Sequence, residues 1–116
     1  MRRTLEITGW LFVFAVIAPA GIATAQDAAL AKKGQAVYTA QKSQVCHAIA
    51  GKGGKASPLD GVGAKLSADD IKLWITNPTE AAAKAKSTKK PPMPAKYGKL
   101  PAADLDALVA YMQSLK

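Results

Sequence analysis

The chain is poor in the residues on which many sites and scaffolds depend. It has one cysteine and one histidine, and its only arginines are Arg2 and Arg3. A single cysteine excludes an internal disulfide as a source of stability. A chain with one histidine, no Ser/His/Asp set and no paired-carboxylate motif offers no catalytic constellation, so we predict that it is not an enzyme. Without arginine beyond residue 3 to read base edges, we also expect no nucleic-acid partner.

The N-terminus has the pattern of an export signal. Arg2 and Arg3 precede an apolar run over residues 10–17, and a small-x-small site follows at residues 23–25. The run is shorter than the roughly 20 residues that a bilayer requires. We predict a cleavable signal peptide over residues 1–25 and a periplasmic domain over residues 26–116, with no integral membrane span after processing. An uncleaved N-terminal anchor is the alternative.

The charge balance is strongly basic. Sixteen Lys and Arg residues face eight Asp and Glu residues, for a formal net charge of +8. Beyond the predicted signal peptide every basic side chain is a lysine. Such a field steers the protein toward acidic partners, although the lysines could also serve only to keep a small domain soluble.

Three segments have the apolar periodicity of helices. The first runs over residues 27–40, the second from Ser67 to the Asn77-Pro78 stop, and the third from Pro101 to the end of the chain. Ser67 is a good N-cap with Asp70 placed to reach back to it, and a residue before proline is pushed out of the helical region. Gly34 costs the first helix about 1 kcal/mol relative to Ala, which close approach of another helix would justify.

Two long loops separate these helices, over residues 42–66 and 79–100. The second begins with an alanine- and lysine-rich piece that is partly helical in composition. Loops beyond about 12–15 residues are uncommon in a small domain and are usually functional. We see no β pattern and predict an all-α domain of three to four helices, with loops wrapped around a non-protein core.

The cysteine and the histidine are neighbours in residues 43–47, with the sequence Ser-Gln-Val-Cys-His. A Cys-x-x-Cys-His run is the signature of c-type haem attachment, in which two thiols bond to the haem and the imidazole ligates iron. Here Cys46 and His47 are in place and Ser43 stands where the first cysteine would be. Taken alone, this is half of a motif.

The rest of the chain supplies further pieces in a familiar order, and residues 26–116 resemble a class I c-type cytochrome. The matching motifs are Gly34-x-x-x-Tyr38, Cys46-His47, Pro58 with Gly61, Trp74-Ile75-Thr76-Asn77-Pro78, Met93-Pro94 and Leu108-Val109-Ala110-Tyr111-Met112. The resemblance implies a cytochrome c-like fold around one haem c. It also implies electron transfer as the function.

The resemblance assigns the two iron ligands. His47 corresponds to the proximal ligand, and its second ring nitrogen is expected to bond to the carbonyl of Pro58. Met93 corresponds to the distal ligand, a soft thioether that favours ferrous iron. The other methionine beyond the signal, Met112, lies in the apolar stripe of the last helix and is expected in the core. A surface loop methionine is the alternative for Met93.

The remaining positions concern how the haem is held. Cys46 corresponds to an attachment cysteine, and Ser43 to a lost attachment position, because a hydroxyl does not add to a vinyl group as a thiolate does. The resemblance thus implies a single thioether. Trp74 is expected either to donate to a haem propionate or simply to pack in the core. Tyr38 and Tyr111 are expected to pack between helices.

Three functions are compatible with these residues. The first is a monomeric electron carrier that exchanges single electrons with acidic redox partners, with four lysines around the methionine loop available for docking: Lys84, Lys86, Lys89 and Lys90. The second is a haem-based module that binds a small ligand when a labile Met93 leaves the iron. The third is a copper site built from His47, Cys46 and Met93, which would leave the loops nothing to wrap.

Overall fold

The computed structural model describes residues 21–116, with side chains from residue 25 onward. Most of the predicted signal peptide therefore lies outside the described residues. The helices are α1 (Gly21–Ala40), α2 (Val62–Lys65), α3 (Ala68–Thr76), α4 (Pro78–Lys84) and α5 (Ala102–Ser114). Two 3-10 turns cover Ser43–Val45 and Ala95–Lys99. No helix in this part of the chain is long and apolar enough to cross a bilayer.

The three predicted helices are present as α1, α3 and α5. Helix α1 already includes Gly21, ahead of the predicted start at residue 27, and residues 22–26 contain neither glycine nor proline that would interrupt it. In α3 the Ser67 hydroxyl accepts the backbone N–H of Asp70 at 3.2 Å, as expected of a capping residue. With the single turn of α2 and the seven residues of α4, the described helices number five rather than three to four.

Asn77 both ends α3 and starts α4. Its backbone N–H donates to the carbonyl of Leu73, and its side-chain oxygen accepts the N–H of Glu80 at 3.3 Å. Pro78 occupies the first turn of α4, where its missing N–H costs nothing. The predicted stop is confirmed, and the alanine-rich piece that follows it is a helix.

The all-α fold class is confirmed, although the described residues also form a small sheet that the sequence did not predict. Its strands are β1 (His47–Ile49), β2 (Lys52–Gly53) and β3 (Ser57–Pro58), with β1 in the centre. Strand β1 pairs antiparallel with β2 and parallel with β3. Strands of two or three residues are too short to display the alternating pattern by which strands are recognised in a sequence.

The core forms where α1, α3 and α5 meet. Its buried side chains are Tyr38, Ile71, Ile75, Leu105, Leu108, Val109 and Met112. A Cβ on Gly34 would overlap the carbonyl oxygen of Ala107 in α5, which confirms that this glycine permits a close helix crossing. The rings of Tyr38 and Tyr111 meet edge to face across the same crossing, with centroids 5.6 Å apart.

Candidate haem site

An open apolar cleft lies between the helices and the two long loops. It encloses about 720 Å³, counting the space open to solvent at its mouth. Its walls are formed by Tyr38, Ser43, His47, Ser57, Leu59, Val62, Leu66, Ile71, Trp74, Ile75, Met93, Leu108 and Met112.

The cleft gathers four of the six site residues that the sequence predicts. Ser43, His47, Trp74 and Met93 all line it, although they come from both long loops and from α3. Cys46 is an exposed free thiol beside His47 and is not part of the wall. Tyr38, Ser57 and Met112 supply further polar and sulfur-bearing groups of the lining.

One hydrogen bond orients the ring of His47. Its Nδ1 lies 2.9 Å from the carbonyl oxygen of Ser57. Because a carbonyl oxygen can only accept, Nδ1 is the donor, and in the neutral ring Nε2 is then the nitrogen that has a lone pair for a metal. A neutral imidazole with an unprotonated Nε2, held in orientation through Nδ1, is the usual state of a metal-ligating histidine.

The acceptor differs from the expected one by a single residue. The resemblance pointed to the carbonyl of Pro58, but the structure places the carbonyl of Ser57 against His47. The cause is the parallel pairing of β1 and β3, which sets His47 opposite Ser57 and Ala48 opposite Pro58. Pro58 itself is exposed and does not line the cleft. The sequence carried no separate signal for Ser57.

The two methionines of the described chain occupy different environments. Met93 is half-buried in the loop that follows α4 and lines the cleft. Met112 is 6% exposed within the core of α5, as predicted, and also borders the cleft. The loop methionine can therefore be approached and displaced more easily than the core methionine.

Burial changes the acidity of the tyrosines at the helix crossing. Desolvation raises the pKa of Tyr38, and the neighbouring Tyr111 adds to the shift. Desolvation also raises the pKa of Tyr111. The Tyr38 hydroxyl donates to the carbonyl of His47 at 3.4 Å, so a neutral tyrosine links α1 to the histidine segment.

The four lysines around the methionine loop are all exposed, but they are not equivalent. Lys84 pairs with Asp70 at 2.8 Å, and this bond lowers the pKa of Asp70 and raises that of Lys84. The ammonium of Lys89 donates to the carbonyl of Ala56 at 3.3 Å. Of this group, Lys86 and Lys90 make no side-chain hydrogen bond or ion pair to the described residues.

The donor set fits a haem better than a site made of protein ligands alone. A planar, largely apolar cofactor requires apolar walls, with an imidazole nitrogen and a second donor available to iron, and the cleft provides His47 and Met93. Within residues 21–116, no three side chains of His, Cys, Asp or Glu cluster as metal ligands. The copper alternative would leave these apolar walls with nothing to enclose.

A mostly helical domain with an apolar cleft lined by a histidine and a methionine has the features of a small haem-binding protein. The chain matches the family model for cytochrome c over residues 31–116, and it belongs to the cytochrome c family. Members of this family bind haem c with its iron and use it for electron transfer. No curated protein and no solved structure gave a significant match to the chain.

Proposed function

We propose that this protein is an exported, monomeric electron carrier, not an enzyme, in which His47 and Met93 ligate the iron of one haem c. The observation that carries the proposal is the hydrogen bond from His47 Nδ1 to Ser57, because it leaves Nε2 free for a metal. Haem c supplies, when bound, an iron that alternates between the ferric and ferrous states.

The residues of the cleft have separate tasks in this function. His47 provides a nitrogen ligand of fixed orientation, and Met93 provides a neutral thioether that favours the reduced iron. With His47 and Met93 both bound to the iron, no ligand position would remain for a substrate, which would suit electron exchange. The apolar walls exclude water, so little reorganisation accompanies the change of charge.

The ligand assignment is tested by absorption spectroscopy of the ferric protein. A methionine–iron charge-transfer band that is present in the wild type and absent in Met93→Ala supports ligation by Met93. A ferric protein with water in place of Met93, which binds carbon monoxide or nitric oxide once reduced, would instead support a ligand-binding module. In a variant that lacks His47, added imidazole should partly restore ligation of the iron.

We further propose that a single thioether at Cys46 holds the haem. Cys46 is an exposed free thiol, and the half-buried Ser43 lines the cleft where a second attachment residue would stand. An alkaline pyridine haemochrome spectrum after acid–acetone extraction tests this proposal. The wild-type band should correspond to one unsaturated vinyl group, Ser43→Cys should shift it to the fully saturated position, and Ser43→Ala should leave it unchanged. Freely extracted haem would show that no thioether forms.

Export to the periplasm is proposed from the N-terminal pattern of residues 1–25. If the signal is cleaved after Ala25, the mature protein begins at Gln26. N-terminal sequencing of the protein recovered from the periplasmic fraction tests the site. A mature chain that still begins at residue 1 or 2 and sediments with membranes would favour the uncleaved anchor.

Acidic redox proteins are the proposed partners. The chain carries a formal charge of +8, and exposed lysines flank the methionine loop. Oppositely charged partners associate faster, and this advantage falls as salt screens it. Electron exchange with an anionic small redox reagent should slow as ionic strength rises, whereas exchange with a cationic reagent should accelerate. The opposite dependence would exclude a positive docking face.

A further inference from the structure

The segment that carries Met93 has few interactions of its own. Residues 85–92 are exposed without exception. Between Thr88 and Met93, both hydrogen bonds that the described structure shows belong to Lys89. Its backbone N–H reaches the Ser87 hydroxyl at 3.4 Å, which is a local contact. Its ammonium therefore makes the one hydrogen bond that joins this stretch to a distant part of the described chain.

That bond ends close to the histidine. Lys89 Nζ donates to the carbonyl of Ala56 at 3.3 Å. The next carbonyl along the chain, that of Ser57, accepts the proton of His47 Nδ1 at 2.9 Å. Ser57 and Met93 both line the cleft. One ammonium group thus connects the segment of the methionine to the loop that orients the histidine.

We propose that Lys89 is a positioning residue that holds the Met93 segment against the Ala56–Ser57 loop and so keeps Met93 at the iron. This inference rests on the proposed ligation by Met93. An exposed loop without this bond would sample open conformations more often, because little else restrains it. With only one thioether at Cys46, the loops contribute more to holding the site closed.

Neighbouring lysines provide matched controls. Lys86 lies in the same exposed segment and carries the same charge, but its ammonium makes no bond to the described residues. Replacing either lysine by alanine removes one positive charge near the cleft. A shift of reduction potential common to Lys86→Ala and Lys89→Ala is therefore an effect of charge alone.

The experiment is an imidazole titration of the ferric holoprotein, because imidazole binds iron only when Met93 is displaced. Losing a partly solvated hydrogen bond should tighten apparent imidazole binding by about three- to tenfold in Lys89→Ala. Lys89→Arg keeps a cationic donor and should return the affinity to within about twofold of the wild type. Lys86→Ala should bind imidazole as the wild type does.

The outcomes separate the two proposals. A wild-type protein without the methionine–iron band would overturn ligation by Met93, and with it the premise of this inference. A wild-type protein that has the band, with equal imidazole affinities in Lys89→Ala and Lys86→Ala, would overturn the role of Lys89 alone. Failure of Lys89→Arg to restore the affinity would also contradict a role for the hydrogen bond.

Discussion

The helices and the loops of this protein are held by different means. In the framework formed by α1, α3 and α5, apolar side chains pack at close range, and the crossing at Gly34 leaves no room for a Cβ. The cleft loops, over residues 42–61 and 85–100, contribute one buried hydrophobic side chain, Ala48. The framework is thus shaped by its own side chains, whereas the loops are shaped by hydrogen bonds and by whatever fills the cleft between them.

Even the helical framework has a small core. Among the described core residues only the small side chain of Ala107 is completely buried, and the larger core side chains are 3–8% exposed. A domain of this size buries a smaller fraction of its surface than a larger domain does, so a cofactor contributes a large share of its stability. The comparison therefore predicts that framework and loops respond differently to the same perturbation.

The largest effect should come from the absence of haem. The walls of the cleft would then face water, and the core that remains is too small to offset the entropy of folding. The chain produced without haem attachment should show weak helical circular dichroism and no cooperative thermal transition, whereas the haem-loaded protein should show both. A cooperative, highly helical melt of the haem-free chain would mean that the framework folds alone.

Gly34→Val perturbs the framework directly while leaving the cleft residues in place. The added side chain would overlap the Ala107 carbonyl, so the free energy of unfolding of the haem-loaded protein should fall by about 3 kcal/mol, the upper end of the usual range for overpacking. Gly51→Ala is the control in the loops: its φ is +78° and nothing lies near its Cβ, so we expect about 1 kcal/mol from backbone strain. Urea titrations of both variants make the comparison. Similar losses of unfolding free energy in the two variants would show that the crossing of α1 and α5 can relax to accommodate the added side chain.

The two methionines test the comparison within the cleft. Met93→Leu should abolish the methionine–iron band and lower the reduction potential, because the thioether that favours ferrous iron is gone. Met112→Leu should retain the band and cost under about 1.5 kcal/mol of stability, as a volume-conserving core change does. Absorption spectra, redox titrations and thermal melts of both variants measure these effects. Loss of the band in Met112→Leu would give the core methionine a direct role at the iron.

The difference between the helical framework and the cleft loops also explains which features the sequence could predict. Helices can be recognised in a sequence by their apolar period, their capping residues and their stop signals. The predicted N-cap at Ser67 and the predicted stop at Asn77-Pro78 are therefore confirmed. His47 and Met93 were identified by residue type and by their place in a familiar order of motifs. Ser57 could not be, because it acts through a backbone carbonyl that any residue carries, and strand register selects it. The bond from Lys89 to Ala56 was equally hidden, since it joins positions 33 residues apart.

The smallest effect should come from the ion pair of Asp70 and Lys84, which links α3 to α4 on the surface. The bond to Lys84, followed by that to Ser67, lowers the pKa of Asp70 in the folded state. Its stabilisation is therefore present above the unfolded pKa of Asp and is lost as the pH falls through the lower, folded value. The pKa of Lys84 is raised, so its contribution disappears only in strong alkali.

Asp70→Asn should consequently leave the melting temperature at neutral pH almost unchanged in moderate salt, because exposed ion pairs are screened. Its effect should appear as a shallower loss of stability on acidification, since one of the carboxylates that must be protonated on acid unfolding is gone. Thermal melts from neutral pH down to acid, with Asp69→Asn as the control on the same turn, measure the difference. If Asp69→Asn flattened the acid limb equally, the effect would reflect net charge. The pairing of α3 with α4 would then contribute nothing to keeping the helices in place beside the cleft.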